Sequence, residues 1–281
     1  MKKTLSPTAL LSAYKIGTAV LAALVGVFGT LAYLTSMTAN GRYFTVSASV
    51  IILYVAIAVA VIFSFASAFL FPKGIGIESK SKIARYATVI PTVAISPVIA
   101  SYAKELLGDA NSTLTIIVAV SALISLIYFI STIFDLSKAL SAFSGYILIL
   151  FCIAVIAVLH TDSSVEMNSP VKISLQFTAA FTALSILSDI RNLIVGHSCL
   201  QYIFSKVTLL PLSILSLVGS LIAASRGYDS KYLTFSIFFF ACAIRSSLDL
   251  FTASASVPQV AQEQAEIAEP QEDTAAESNA E

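Results

Sequence analysis

The chain has 281 residues, of which 57% are hydrophobic and only 11% charged, with a mean hydropathy of +0.90 and a formal net charge of zero. A water-soluble domain of this length carries far more charge. The composition therefore excludes a soluble enzyme or a nucleic-acid-binding domain and specifies an integral membrane protein whose first partner is the lipid bilayer. The zero net charge conceals an asymmetry, because Lys and Arg continue up to Arg245 whereas residues 252–281 carry seven acids and no base.

The N-terminus has basic residues before an apolar stretch and so resembles a signal peptide. The uncharged interval between Lys15 and Arg42 is longer than the apolar region of such a peptide, which predicts an uncleaved first helix. A crossing helix needs about 20 apolar residues. Intervals of that kind run from Gly17 to Met37, Ser47 to Phe71, Tyr86 to Tyr102, Thr113 to Phe134, Ala142 to His160, Ile173 to Ser188, Val207 to Ser225 and Tyr232 to Phe251. The third contains Pro91 and Pro97, the sixth is short and the eighth contains Arg245, so counts of six and seven stay open.

Eight spans place Lys2, Lys3, Lys15, Lys73, Lys80, Lys82, Arg85, Lys138, Arg191, Lys206 and Arg245 on the side of the N-terminus, and Arg42, Lys104, Lys172, Arg226 and Lys231 on the other. Positive charge collects on the cytoplasmic side of membrane proteins. Eleven against five predicts eight spans with both termini cytoplasmic, and the expected location is the plasma membrane of a prokaryotic cell. From residue 253 to 281 the chain becomes rich in Ala, Gln and Glu, which predicts a disordered acidic tail. Such a tail could recruit a cytoplasmic protein partner; simple solubility explains it as well.

Two spans end alike, in FISTIFDL (Phe129 to Leu136) and AIRSSLDL (Ala243 to Leu250). Aligning Asp135 with Asp249 also aligns Ile130 with Ile244 and Thr132 with Ser246. A similar offset lays Thr88, Pro91 and Ser96 over Thr208, Pro211 and Ser216, and pairs Gly76 with Gly196. Within a transmembrane domain of residues 1–252, these matches suggest two parallel four-helix repeats, 11–138 and 140–252; a two-helix unit is the rival reading. Asp135, Asp189, Arg245 and Asp249 then form either a charged ring at the cytoplasmic mouth of a pathway or interfacial charges pairing locally, Asp249 with Arg245, Asp189 with Arg191 and Asp135 with Lys138.

By the span limits above, no ionisable side chain lies deep in the membrane, Arg245 being the deepest. That argues against a proton pump and against an intramembrane protease, and no familiar catalytic or nucleotide-binding motif is present. His160 and His197 fall on opposite sides, so they cannot share a metal; no cofactor is expected, and the absent motifs argue against enzyme activity while leaving an intramembrane enzyme open. Cys152, Cys199 and Cys242 have no disulfide spacing. Rows of small residues such as Ala22, Gly26 and Thr30, or Ser216, Ser220 and Ala224, let helix backbones approach closely.

Interrupted helices at corresponding positions of two halves point to a transporter site. Pro91, Ser96 and Pro97 in the third span, with Pro211, Ser216 and Gly219 in the seventh, define a candidate hydroxyl-lined midplane site for a small neutral or weakly polar solute. The fold expected is an all-α polytopic bundle of about eight transmembrane helices. The function expected is a small-solute transporter or permease component; the alternative is a membrane scaffold or accessory subunit acting through its tail.

Overall fold

A computed structural model describes residues 6–38, 43–71, 76–78, 82–108, 112–195, 199–227 and 230–256. Its helices are α1 (Pro7–Ser36), α2 (Ala48–Leu70), α3 (Lys82–Tyr86), α4 (Val89–Ala94), α5 (Ser96–Leu107), α6 (Thr113–Phe134), α7 (Lys138–Thr161), α8 (Pro170–Val195), α9 (Cys199–Ser225) and α10 (Ser230–Thr252). Helices α3 to α5 together make one span, so among the described residues eight segments are long and apolar enough to cross a membrane. The chain is an all-α polytopic bundle and an integral membrane protein.

Local chemistry sets the starts of the helices. Ser6, Ser47 and Ser112 each accept a hydrogen bond from an amide of the first turn, at 3.3, 3.4 and 3.1 Å, and Pro7 occupies the first helical position, where its missing N–H costs nothing. In the third span, Pro91 and Pro97 lie in the first turns of α4 and α5. Each proline lacks the donor that would continue the preceding helix, so the span is written as three short helices with Thr88 at the first break.

Several limits differ from those read off hydropathy: the first span begins at Pro7 rather than Gly17, the third is Lys82–Leu107 rather than Tyr86 to Tyr102, and the fifth begins at Lys138 rather than Ala142. The sixth span is Pro170–Ile194 rather than Ile173 to Ser188, and the seventh begins at Tyr202 rather than Val207. Charge-free intervals were the criterion, and it fails where a charge is paired inside the protein: Lys172, Asp189 and Lys206 all lie within spans.

Helix α9 is central. It packs on α8, α10, α1 and α2, while α6, α7 and α8 follow one another around the bundle and α4 packs on α10 and α6. Phe129, Phe151, Phe238 and Phe239 join α6, α7 and α10 through ring contacts of 5.3–6.2 Å. Two pairs recur between the four-helix sets, α1 on α2 as α7 on α8, and α5 on α6 as α9 on α10, but the packing of α8 on α9 and α10 has no comparable counterpart for α2. The contacts between sets do not recur, since α9 rests on α1 whereas α7 rests on α6. Gly196 lies outside the described residues.

Gly219 permits the tightest approach of α1 to α9. A Cβ there would stand 2.6 Å from Tyr33 Cζ and 2.7 Å from its hydroxyl. Tyr33 is fully buried and its ring is rigid, so Gly219→Ala is expected to cost about 1–3 kcal/mol by overpacking. Thermal unfolding in detergent checks this. Tyr33→Leu in the same chain should restore part of the loss, and an additive penalty would show that the two groups do not meet.

Both ends of the eight-span unit lie on one face, here the terminal face. The strand β1 (Gly76–Glu78) pairs antiparallel with β2 (Ser254–Ser256), Ile77 opposite Ala255, and Lys15 Nζ donates to the Ala253 carbonyl at 2.7 Å. The segment expected to be a tail from residue 253 is therefore tied to the bundle as far as Ser256. Residues 257–281 lie outside the described residues.

Candidate functional site

Asp189, Arg245 and Asp249 come together near the terminal face with a fourth charge that hydropathy placed in a loop, Lys206. The 3.6-residue period of α9 sets Tyr202 and Lys206 on one face one turn apart, and that of α10 does the same for Arg245 and Asp249. Lys206 has no exposed side-chain surface, and it reaches Asp189 Oδ1 at 2.7 Å and Asp249 Oδ2 at 3.0 Å. Arg245 Nη1 donates to Asp189 Oδ2 at 2.8 Å. Two cations and two carboxylates thus share partners in a closed, electrically balanced set.

Neutral groups complete it. Tyr202 Oη donates to Asp249 Oδ2 at 2.9 Å, and Arg245 Nε donates to the hydroxyl of Thr88 at 3.2 Å. The Arg245 guanidinium also lies over the Tyr128 ring at 5.7 Å, and Lys206 Nζ over Tyr202 at 5.1 Å. The proline-made break between α3 and α4 is what presents Thr88 to Arg245. At about 1.5 Å per residue, Lys206, Asp189 and Arg245 lie about 6–10 Å inside the ends of their spans. Ionisable groups at that depth are costly and mark functional positions.

From this network a row of buried hydroxyls crosses the bundle between α8, α9 and α10. On α8 they are Ser174, Thr178, Thr182 and Ser185, spaced by four, four and three residues, so that they share a face with Asp189. Thr178 donates to the Leu212 carbonyl at 3.2 Å, Ser185 and Ser246 are 3.0 Å apart, and Ser236 meets Ser216 at 3.1 Å and Ser220 at 2.6 Å. Beside Asp189 and Ser246 in the chain, Ser188 and Ser247 bury hydroxyls that have no protein partner. Such groups are found where water or an ion completes the bonding.

At the far end of the row, Lys172 Nζ donates to the carbonyls of Asp162 and Val165 at 2.6 and 3.0 Å, and Tyr232 Oη donates to Asp162 Oδ2 at 2.9 Å. Burial works against the Asp162 charge. The Ser164 amide and hydroxyl, Tyr232 and Lys172 outweigh it and hold the carboxyl below the ordinary aspartate range.

The other residues singled out in the sequence are placed differently. Asp135 is the left-handed C-cap of α6, with φ 53°, where the Leu136 amide reaches back to the Ser131 carbonyl at 3.0 Å. Its carboxylate is exposed and 3.4 Å from Arg85 rather than paired with Lys138. Asp189 pairs with Lys206 and Arg245 rather than with Arg191, which is exposed, and Asp249 pairs with Lys206 rather than with Arg245 one turn before it. Sequence neighbours are poor guides here because charges inside the bundle select partners on other helices.

The third and seventh spans do not enclose a common space. Ser96 and Pro97 are exposed on the outer surface, Pro91 is buried where α4 meets α10 and α6, and Ser216 bonds Ser236 on α10. Gly219 receives Tyr33, and Pro211 lines a small apolar cleft with Val25, Ile57, Ala60, Thr208 and Leu215. Helix α10 lies between the two groups. Only Ser216 of the six lies on the hydroxyl row.

Among the described residues no cluster of three or more His, Cys, Asp or Glu could hold a metal ion, and His197 lies outside them. Comparison of the chain with protein-family models, with characterised proteins and with solved structures gives no match.

Proposed function

We propose that this chain is a transporter or permease component for a small polar solute, that the hydroxyl row between α8, α9 and α10 is its path, and that the Lys206–Asp189–Arg245–Asp249 network is the gate at the terminal face. The network is the observation that carries the reading. Well-packed apolar side chains of similar volume hold a core together as well as a buried ion pair does, or better. Four ionised groups are therefore a poor choice for helix adhesion alone. Shared partners also make an exchange of pairs inexpensive, because Lys206 can leave one carboxylate while keeping the other.

The charges change the expected substrate from neutral to polar, since a solute entering from the terminal face meets both signs of charge before any hydroxyl. The terminal face carries the excess of Lys and Arg, which favours a cytoplasmic orientation for it. No covalent step is required, and the role is not enzymatic.

Reaction of single cysteines with a membrane-impermeant thiol reagent tests the path. Ser216→Cys and Thr182→Cys, in a background lacking Cys152, Cys199 and Cys242, are expected to label slowly in the closed form. Adding Asp249→Asn should speed labelling from the terminal face by about tenfold or more, because an open state populated at 0.1–10% has at least that much to gain. Protection of both positions from both faces, with and without Asp249→Asn, would identify a dry packing seam and leave the scaffold reading in its place.

A further inference from the structure

The charges of the chain are divided in a way that the gate does not use. By connectivity, and leaving out the four mutually balanced network charges, the terminal face carries nine bases against two acids, Glu78 and Asp135, a side-chain charge of +7 before the tail is counted. The opposite face balances, its five bases facing Glu105, Asp109, Asp162, Glu166 and Asp229. Residues 257–281 bear seven acids and no base, a charge of −7. The tail thus carries the charge that the terminal face lacks.

The structure also shows where this segment starts. Pairing of β2 with β1 and the Lys15 bond to Ala253 hold Ser256 against the terminal face. Lys82, Lys138 and Arg191 are exposed on the same face, and among the described residues no carboxylate pairs with them. Twenty-five residues can span about 25–30 Å by the scaling of a linker of that length, enough to reach across a bundle whose helices are spaced by about 8–10 Å. Tethering at that range gives a high effective concentration of acid over base.

We propose that residues 263–281 fold back across the terminal face of their own chain and bind it electrostatically, with Lys82, Lys138 and Arg191 among the bases they neutralise. The complex is held by charge rather than by an apolar anchor, since the segment has a single large aliphatic residue, Ile267. The docking does not depend on the transport reading, and its test uses no transport assay.

The distance between nitroxide labels at Ser137→Cys and Ser278→Cys, in the background lacking native cysteines, measures it by pulsed electron resonance. The labelled protein is diluted with unlabelled protein in phosphatidylcholine vesicles, with and without phosphatidylserine. A narrow distribution is expected at about 0.1 M salt, broadening at about 1 M as the Debye length falls from about 10 to about 3 Å. The same broadening is expected when the seven acids are replaced by Gln or Asn. A distribution that is broad and insensitive to salt would overturn the proposal. So would loss of the narrow component on dilution, which assigns the tail to a second copy, or on adding phosphatidylserine, which assigns the face to the anionic leaflet. Zero-length carbodiimide coupling of the unmodified chain gives a second readout, with tail carboxylates joined to Lys82 or Lys138 at low salt; no such product at any salt would equally overturn it.

Discussion

Lys206→Met is expected to lower the stability of the bundle by about 3–5 kcal/mol, the largest single effect in the molecule, because it leaves Asp249 with no cation in direct contact and Asp189 with one instead of two. The methionine fills the volume, so the loss comes from charge rather than from a cavity. Thermal or denaturant unfolding in detergent micelles measures it. The double variant Lys206→Met, Asp249→Asn removes one charge of each sign and keeps the Asp189–Arg245 pair, and should recover most of the loss. Equal stability of Lys206→Met and the parent would mean that the charge is not bound as described. An additive double variant would show that Lys206 and Asp249 do not interact.

Asp189→Asn is expected to cost nearly as much, about 3–5 kcal/mol, and more than Asp249→Asn at about 1–3 kcal/mol. The difference lies in connectivity. Asp189 is the only carboxylate in contact with Arg245 among the described residues, so its loss leaves a buried guanidinium with Thr88 and the Tyr128 ring alone. Loss of the Asp249 charge leaves Lys206 on Asp189, and Tyr202 can still donate to the amide oxygen. Unfolding of the two variants side by side decides the matter. The reverse order would mean that Asp249, not Asp189, is the hub of the network.

The Asp-Leu endings show how far a sequence resemblance carries. FISTIFDL and AIRSSLDL match in order and spacing, yet Asp135 terminates α6 in a left-handed conformation at the surface, while Asp249 stands inside α10 against Lys206. Asp tolerates positive φ and also accepts hydrogen bonds from cations. The same residue type serves both ends, and local sequence does not distinguish them. In the third span, the prolines were legible as breaks, but what the first break does, which is to hold Thr88 against Arg245, needs α10 beside it.

Lys206 was the decisive omission. A lysine at the edge of an apolar interval reads as a span end, because an unpaired ammonium does not enter hydrocarbon. One signal was available: Tyr202 and Lys206 stand one turn apart, and extending the helix back to Tyr202 puts both on the stripe that continues through Ser213, Ser216 and Ser220. The stripe is visible in the sequence; the two carboxylates that neutralise the lysine come from α8 and α10.

Composition and hydropathy determined the class, because transfer of about 20 apolar residues into hydrocarbon outweighs any detail of their order. The uneven distribution of Lys and Arg pointed to eight crossings with both ends on one side. Composition also marked the acidic segment off from the spans, with seven acids and one large aliphatic residue between residues 263 and 281. The tertiary structure alone decided which charges are interior. A buried ion is stable only beside its counter-ion, and pairings such as Lys206 with Asp249 join residues on different helices.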